Sequence, residues 1–177
     1  GKTALLEMLV GELDRVGIRS AVIKHDGHEF EADVPGTDSR RIKEAGAYGT
    51  VVYSGTKFSM TKEQPSMKAE DFFGFFPEAD IIFLEGQKDS DYPKLEVLRR
   101  EVSDVPVCRP ETVLAYIWSG QIARSGENTW SGEDCLGRGN RRNGKCPVLT
   151  AAQKDRILEI VIGHMDRYCR GDGGDEL

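Results

Sequence analysis

The chain has 177 residues, which is enough for one domain with a substantial hydrophobic core. Its composition, 38% hydrophobic and 31% charged, suits a cytoplasmic protein, and its net charge of −6 disfavours nucleic acid and anionic membranes as partners. No apolar run is long enough to span a bilayer. The four cysteines contain no C-x-x-C pair, so scattered reduced thiols are favoured over a metal or disulfide framework.

The first quarter of the chain predicts two helices separated by a strand and a loop. Lys2–Val16 has apolar residues at helical spacing, and Gly17 follows as a stop signal. Ile18–His25 is predicted to be a buried strand. The polar, acidic segment Asp26–Thr37 contains Pro-Gly and is predicted to be a loop, and a short helix is predicted at Asp38–Ala47.

The middle of the chain adds strands that alternate with helices, which predicts an α/β fold with a mainly parallel sheet. A Phe-rich helix is predicted at Met67–Phe76, ending before Pro77. The apolar run within Asp80–Glu85 is typical of a central parallel strand. The other predicted strands are Thr50–Ser54 and Lys57–Thr61, which should pair with each other, Lys94–Arg99, and Val113–Trp118.

The last third of the chain begins with a break in this pattern. Residues 119–147 are rich in Gly, Asn, Ser and Arg without periodicity, which predicts a long surface insertion. A C-terminal helix is predicted within residues 148–170, where Thr150 and Gln153 form a capping box, and residues 171–177 are expected to be a disordered tail. Residues 1–118 and the C-terminal helix are therefore predicted to form one domain.

The chain opens with Gly1-Lys2-Thr3 directly ahead of the first helix. These residues match the end of the phosphate-binding loop G-x-x-x-x-G-K-[ST], in which the lysine contacts the outer phosphates and the hydroxyl contacts Mg²⁺. Three residues are a weak motif, and the alternative is an ordinary helix start. The sequence contains neither the first half of the loop nor its strand, so we expect a P-loop NTPase-type three-layer α/β fold that lacks its first strand.

A second candidate site lies at the end of the predicted strand Asp80–Glu85. The strand would carry the carboxylate of Glu85 to the edge of the sheet where open α/β folds bind ligands. We expect Glu85 to hold Mg²⁺ through water or to orient an attacking water, which makes it the candidate catalytic residue. Gly86 would let the backbone turn close to the phosphates. The alternative is a solvated glutamate at a strand end.

The segment Lys24–Asp33 concentrates His25 and His28, two of the three histidines, with several carboxylates. Such a group suits a transition-metal site, or a switch-like loop that senses Mg²⁺ and the γ-phosphate. The two histidines are three residues apart on a loop, which fixes no geometry. The metal site is therefore the less favoured interpretation.

Four segments together resemble one family: GKTALLEMLVGEL, AVIKHDGHEFEADVPGTDSRRIKEAGA, DIIFLEGQK and YPKLEV. From Gly1 to about Trp118 the chain resembles the molybdopterin-guanine dinucleotide biosynthesis protein B (MobB) family. The resemblance implies a P-loop fold that binds GTP and Mg²⁺ with at most slow hydrolysis. It also implies a homodimer that acts beside the molybdopterin guanylyltransferase and molybdopterin-bound partners.

The resemblance places site residues by position. Lys2 and Thr3 match the end of the phosphate loop, Thr3 and Glu85 match the metal site, and the sequence lacks an N-K-x-D guanine-reading motif. The remaining matched positions are Gly1, Lys24, His25, His28, Asp33, Pro35, Gly36, Asp38, Ser39, Gly86, Lys88, Pro93, Lys94 and Glu96. Of these, Gly1, Lys24, His25, Asp33 and Gly86 are, with Lys2 and Thr3, the predicted nucleotide-binding residues.

Two other functions stay open at the level of the sequence. One is a metallochaperone-type P-loop GTPase that uses His25 and His28 to hand over a metal. The other is a degenerate interaction module that has lost nucleotide binding and keeps only partner contacts. Metal-dependent nucleotide turnover would distinguish the first from the MobB-like function.

Overall fold

The structure is a computed structural model that describes residues 1–28, 30, 33–99, 105–118 and 146–169. The helices are α1 (Lys2–Arg15), α2 (Asp38–Glu44) and α3 (Lys154–Cys169), with 3₁₀ segments at Ala69–Phe75 and Pro110–Thr112. The strands are β1 (Ser20–Lys24), β2 (Gly49–Tyr53), β3 (Phe58–Lys62), β4 (Ile81–Glu85), β5 (Lys94–Leu98), β6 (Val113–Trp118) and β7 (Val148–Thr150). In this part of the chain, α1 and α2 alternate with strands as the sequence predicts, but between β2 and β7 the only helical segments described are 3₁₀.

Helix α1 ends where the sequence predicts. Gly17 has φ +79°, a conformation that glycine adopts without steric cost, and its N–H donates to the Asp14 carbonyl at 3.0 Å. The N–H of Ile18 donates to the Leu13 carbonyl at 3.0 Å. These two bonds satisfy carbonyls that the helix end would leave unpaired, and they turn the chain back toward β1.

The strands form two parallel sheets and one antiparallel hairpin. β1 pairs with β4, and β5, β6 and β7 form a second parallel sheet in that order. Among the described residues, no ladder joins β4 to β5. The prediction of a mainly parallel α/β fold is confirmed. Within the described residues β4 is hydrogen-bonded to β1 alone, and its residues are half-buried.

The predicted hairpin is present and differs in character from the parallel sheets. β2 and β3 pair antiparallel, with Val51 opposite Met60 and Tyr53 opposite Phe58. These four side chains are 45% to 81% exposed, and apart from β3 the main described element that lies against β2 is α2. A two-stranded ribbon with so little packing is marginal by itself.

The Phe-rich segment is a 3₁₀ helix rather than the predicted α-helix. Its hydrogen bonds span three residues, as between the N–H of Asp71 and the carbonyl of Lys68 at 3.2 Å. Gly74 lowers the helical propensity of the segment, and Pro77 stops it one residue after Phe76.

The helix predicted within residues 148–170 is confirmed as α3, but it begins at Lys154, after the predicted cap at Thr150. Val148–Thr150 ahead of it is a strand parallel to β6, which the sequence did not predict. The side chain of Gln153 reaches back to accept the N–H of Thr150 at 2.9 Å, which is half of the predicted capping box. Most of the predicted insertion, residues 119–145, and the predicted tail at 171–177 lie outside the described residues.

The main core lies between the sheets and helices α1 and α3. Side chains of β4 and β5 pack against the same cluster as those of β6, so the two parallel sheets share one core. The described part of the chain has no helix that is both long and apolar enough to cross a membrane. The buried members of the core are Leu5, Leu9, Ala115, Ile117, Leu149, Ile157 and Val161.

Candidate functional site at the carboxyl ends of β1 and β4

The ends of β1 and β4 meet at one edge of their sheet. Lys24 and Glu85 are register partners in the parallel pair, so the predicted nucleotide-binding lysine and the predicted catalytic carboxylate lie side by side. The N–H of His25 then donates to the carbonyl of Glu85 at 2.8 Å. The tertiary structure therefore brings Lys24 and His25 together with Glu85, although Glu85 lies far from both in sequence.

Gly86 fits against His25 as only a glycine can. Its φ is +92°, and a Cβ atom at this position would lie 2.6 Å from the His25 carbonyl oxygen. Real Cβ atoms do not approach a backbone oxygen so closely, and the atom it would meet cannot move without moving β1. Gly86 thus lets β1 and β4 stay paired up to the point where both chains leave the sheet.

The amino end of α1 faces the same edge. α1 contacts β1 and α3, and the reversal at Gly17 makes α1 and β1 antiparallel, so the start of α1 lies near the end of β1. The carbonyl of Gly1 accepts the N–H of Leu5 at 3.1 Å, so the helix begins at the predicted loop remnant. Gly1, Lys2 and Thr3 are exposed. The unpaired N–H groups of this first turn favour an anion.

Asp33 lies on the loop after β1, and a hydrogen bond connects it to α2. One carboxylate oxygen accepts the hydroxyl of Ser39 at 3.3 Å. The other, Oδ2, is buried and has no hydrogen-bond partner among the described residues. The loop therefore carries a buried carboxylate oxygen without a hydrogen-bond partner among the described residues.

The oxygen donors available at the site suit a hard divalent cation. Mg²⁺ prefers hydroxyl and carboxylate oxygens and keeps several waters, and Thr3 and Glu85 offer such groups. The carboxylate of Glu85 forms no ion pair with any described residue. The described residues also contain no group of three His, Cys, Asp or Glu side chains placed to hold a metal ion, and this includes the segment around His25 and His28.

Lys94 fixes the β4–β5 loop, residues 86–93, in a role that the sequence did not predict. Lys94 Nζ donates to the carbonyl oxygen of Tyr92 at 2.8 Å, to that of Ser90, and to the Thr112 hydroxyl at 3.4 Å. Burial lowers the pKa of Lys94 below its ordinary value. Lys94 belongs to the YPKLEV segment of the family resemblance, which was the only signal for it.

Two further contacts brace this loop from its sides. The Tyr92 hydroxyl donates to Glu70 Oε1 at 2.7 Å, and this hydrogen bond raises the pKa of Tyr92 to about 12. The same bond lowers the pKa of Glu70. Arg109 donates to the Asp89 carbonyl at 3.3 Å and pairs with the Asp91 carboxylate. The loop is thus tied to the 3₁₀ helix on one side and to the segment before β6 on the other.

Glu96 is a buried acid on β5, two residues beyond Lys94. It is 6% exposed, and its Oε1 accepts the backbone N–H groups of Val107 at 2.6 Å and Cys108 at 3.2 Å. Burial raises the pKa of the Cys108 thiol, and the Glu96 carboxylate adds to this effect. Lys94 and Glu96 therefore fix the two loops that flank β5, which is a structural role.

The fold and the site define an α/β protein that gathers polar groups at the carboxyl ends of parallel strands, where such folds bind ligands. The family model described as molybdopterin guanine dinucleotide synthesis protein B (MobB) matches residues 1–119. The chain therefore belongs to the MobB family, which confirms the resemblance seen in the sequence.

Individual relatives agree with this assignment. The chain is 34% identical over 106 residues to the molybdopterin-guanine dinucleotide biosynthesis adapter protein of Haemophilus influenzae, covering 58% of this chain and 60% of the relative. It is 34% identical over 104 residues to the Escherichia coli protein of the same description, covering 56% and 59%. The chain thus spans about three fifths of the length of these curated relatives.

Solved structures support the fold. Bacillus subtilis MobB superposes with a TM-score of 0.64 at 21% identity, covering 92% of this chain and 90% of that chain. A MobB homologue from Bacillus stearothermophilus gives a TM-score of 0.53 at 18% identity, covering 93% and 90%. At these identities the likeness establishes the α/β fold alone.

Proposed function

We propose that this chain is the nucleotide-binding part of an adapter protein in molybdopterin-guanine dinucleotide biosynthesis. It binds GTP with Mg²⁺ at the carboxyl ends of β1 and β4 and hydrolyses it slowly or not at all. The observation that carries the proposal is the meeting of Lys24, His25, Glu85 and Gly86 at one edge beside the amino end of α1. The relatives described as adapter proteins of this pathway supply the biological context.

The proposed site assigns each residue a role in binding the nucleotide, Mg²⁺ or water. The first turn of α1 binds the phosphates through its free N–H groups, and Lys2 adds a positive charge. The Thr3 hydroxyl and the Glu85 carboxylate hold Mg²⁺, which neutralises phosphate charge when bound. Lys24, beside Glu85, adds a second positive charge at the edge. The carboxylate of Glu85 orients a water for the slow hydrolysis.

The break between the two parallel sheets supports the P-loop part of the proposal. A P-loop fold has a strand that leads directly into the phosphate loop. β4 and β5 pack on one core without a ladder between them, and the proposal places such a strand at this break. The backbone amides that wrap the phosphates would follow that strand.

The proposed partners are a second copy of this chain, the molybdopterin guanylyltransferase and molybdopterin-bound proteins. The β2–β3 hairpin supports a partner surface, because Val51, Tyr53 and Phe58 share one face and are 56%, 81% and 63% exposed. Apolar side chains clustered on an exposed ribbon favour association. Light scattering of the purified chain and of Val51→Lys tests whether this face mediates self-association, which the lysine should weaken.

Calorimetric titration with GTP and Mg²⁺ tests the nucleotide site. We expect GTP to bind more tightly than guanosine, and Lys2→Ala and Glu85→Gln each to weaken GTP binding by about tenfold or more, the usual effect of losing a charged contact. Lys57→Ala, an exposed lysine beside β3, is the matched control. GTP binding that is unchanged in both site variants would refute the proposed site.

A further inference from the structure

A groove of about 370 Å³ runs along α3 at the amino ends of β6 and β7. Its floor is apolar and is formed by three half-buried residues, Leu114 of β6, Pro147 ahead of β7 and Ile160 of α3. The volume lies at the small end of the range of protein ligand pockets, about 300–1,000 Å³. None of the residues that line the groove belongs to the candidate nucleotide site, so a ligand bound here leaves that site free.

Gly163 lies in the middle of this α3 groove. It is an interior residue of α3, where glycine is among the least favourable residues for a helix. Outside the helix backbone, no described atom lies within 4 Å of the position that a Cβ on Gly163 would occupy. Packing within the described chain therefore does not require a glycine here, whereas a backbone that approaches α3 from outside does. An open glycine alone does not make a site, and the side chains around it supply the second observation.

Arg156 and Arg167 border the groove on either side of Gly163. The rise of an α-helix separates them by about 16 Å along its axis. Arg167 is exposed, and among the described residues its guanidinium has no ion-pair partner. Arg156 pairs with Glu159 at 2.8 Å, but both side chains are mostly exposed, and such a surface pair is weak enough to exchange partners. The groove thus has an excess of positive charge on a chain whose net charge is −6.

An extended peptide segment matches this arrangement of charges. In an extended chain, residues four apart are separated by about 13 Å and point to the same side. Two acidic side chains at that spacing reach both Arg156 and Arg167, because the arginine side chains are long enough to cover the difference. An apolar residue midway between the two acids points to the same side, toward the apolar floor. A small anion could reach only one of the arginines, so the groove favours a peptide.

We propose that the α3 groove binds an extended acidic segment of a partner protein, with the pattern acid-x-apolar-x-acid. Arg167 is the main anchor, Arg156 binds the second carboxylate by releasing Glu159, and Gly163 lets the partner backbone approach the helix. A guanidinium group binds a carboxylate through two parallel hydrogen bonds, which gives both strength and orientation. The inference goes beyond the proposed nucleotide function and does not depend on GTP binding.

Calorimetric titration of the full chain with the capped peptide Glu-Ala-Leu-Ala-Glu tests this inference. We expect a dissociation constant below about 1 mM, and no binding of the matched peptide Lys-Ala-Leu-Ala-Lys. Arg167→Ala should weaken binding by about tenfold or more, the effect of losing a charged hydrogen bond. Glu159→Gln should tighten binding, because it removes the carboxylate that competes for Arg156.

A substitution that fills the groove separates binding from folding. Gly163→Leu places a side chain in the open space and raises the helical propensity of α3. We therefore expect weaker peptide binding together with an unchanged or higher midpoint of thermal unfolding. Gly11→Leu is the matched control, because Gly11 is an interior glycine of α1 with open space at its Cβ position and does not line the groove. It should keep the peptide affinity of the unchanged chain.

The inference is refuted if the acidic peptide does not bind at concentrations up to about 1 mM, or if the lysine peptide binds equally well. It is also refuted if either Arg167→Ala or Gly163→Leu leaves the affinity unchanged. Light scattering detects the other occupant: self-association that Arg167→Glu abolishes and Val51→Lys does not would assign the groove to a second copy of this chain and overturn the proposal. GTP should bind Arg167→Ala as it binds the unchanged chain, so failure of the groove and failure of the nucleotide site are distinguishable.

Discussion

The carbonyl oxygen of His25 lies 2.6 Å from the position that a Cβ atom on Gly86 would occupy. Gly86 therefore packs directly against the backbone of His25. This packing, together with the hydrogen bond from the His25 N–H to the Glu85 carbonyl, holds the ends of β1 and β4 together. The close approach exists because residue 86 has no side chain and has φ +92°. A single methyl group added at residue 86 would therefore disturb the sheet edge that carries the candidate site.

We expect Gly86→Ala to lower the free energy of unfolding by about 3 kcal/mol, because it adds a backbone clash to the cost of a left-handed alanine. Gly46→Ala is the matched control, since Gly46 has φ +106° and open space around its Cβ position. It should cost about 1 kcal/mol. Urea unfolding of both variants measures the difference, and equal losses would show that the His25 contact is unimportant.

The shared core predicts that shortening a buried side chain of α3 strongly lowers the stability of the fold. Ile157 is fully buried in the cluster that joins α1, α3 and the second parallel sheet. Ile157→Ala should lower the free energy of unfolding by about 2–5 kcal/mol through lost burial and the cavity that remains. Val16→Ala, at a position 64% exposed, should change it by less than about 0.5 kcal/mol. A loss below 1 kcal/mol at Ile157 would contradict the described core.

Stability should depend on pH through His164. Burial lowers the pKa of His164, and Arg167 adds to the effect. As pH falls below about 6.5, the unfolded chain takes up a proton that the folded chain resists, so this contribution to stability is present at neutral pH and lost on acidification. His164→Gln should therefore flatten the decline in stability between pH 7 and pH 5. Unfolding curves that stay parallel for the two proteins would contradict this.

Removing the Lys94 ammonium should loosen the β4–β5 loop. Lys94→Met keeps the length of the side chain but deletes the donors to Ser90, Tyr92 and Thr112. We expect a loss of about 1–3 kcal/mol in unfolding free energy, because buried carbonyls lose their partners. Hydrogen exchange should accelerate at the Ser90 amide, which bonds to Gln87. Lys57→Met is the control, and a loop equally protected in both variants would argue against the bracing role.

The start of α3 depends on the side chain of Gln153. Gln153→Ala removes the acceptor for the Thr150 N–H and should cost about 1 kcal/mol, as lost caps do. Gln153→Glu keeps an acceptor and places a negative charge at the helix start, so it should retain stability. Thermal unfolding of the two variants measures this, and an equal loss in both would rule out the cap.

The local elements of the fold were predictable because their signals are local. Apolar spacing and Gly17 defined α1 to within one residue, and Val113–Trp118 was predicted at its observed bounds. The three-residue strand β7 was missed because so short a segment has no periodicity, and it exists through its pairing with β6. The 3₁₀ segment was predicted as an α-helix because both types of helix group apolar side chains on one face.

The candidate site was predictable in part. Glu85 and Gly86 follow from a strand that ends in an acid and a glycine, and the family resemblance supplied Lys24 and His25. Asp33 was predicted with the others and stays a prediction; its described hydrogen bond is to Ser39 of α2.

By itself, the sequence determined the α/β class, the family and the order of the elements, because these depend on residue type and spacing along the chain. Only the tertiary structure decided which residues meet. It paired Lys24 with Glu85, placed the His25 carbonyl against Gly86, and used Lys94 to hold the β4–β5 loop. Such contacts join residues far apart in sequence, and their energies depend on distances of a few tenths of an ångström, which no sequence pattern records.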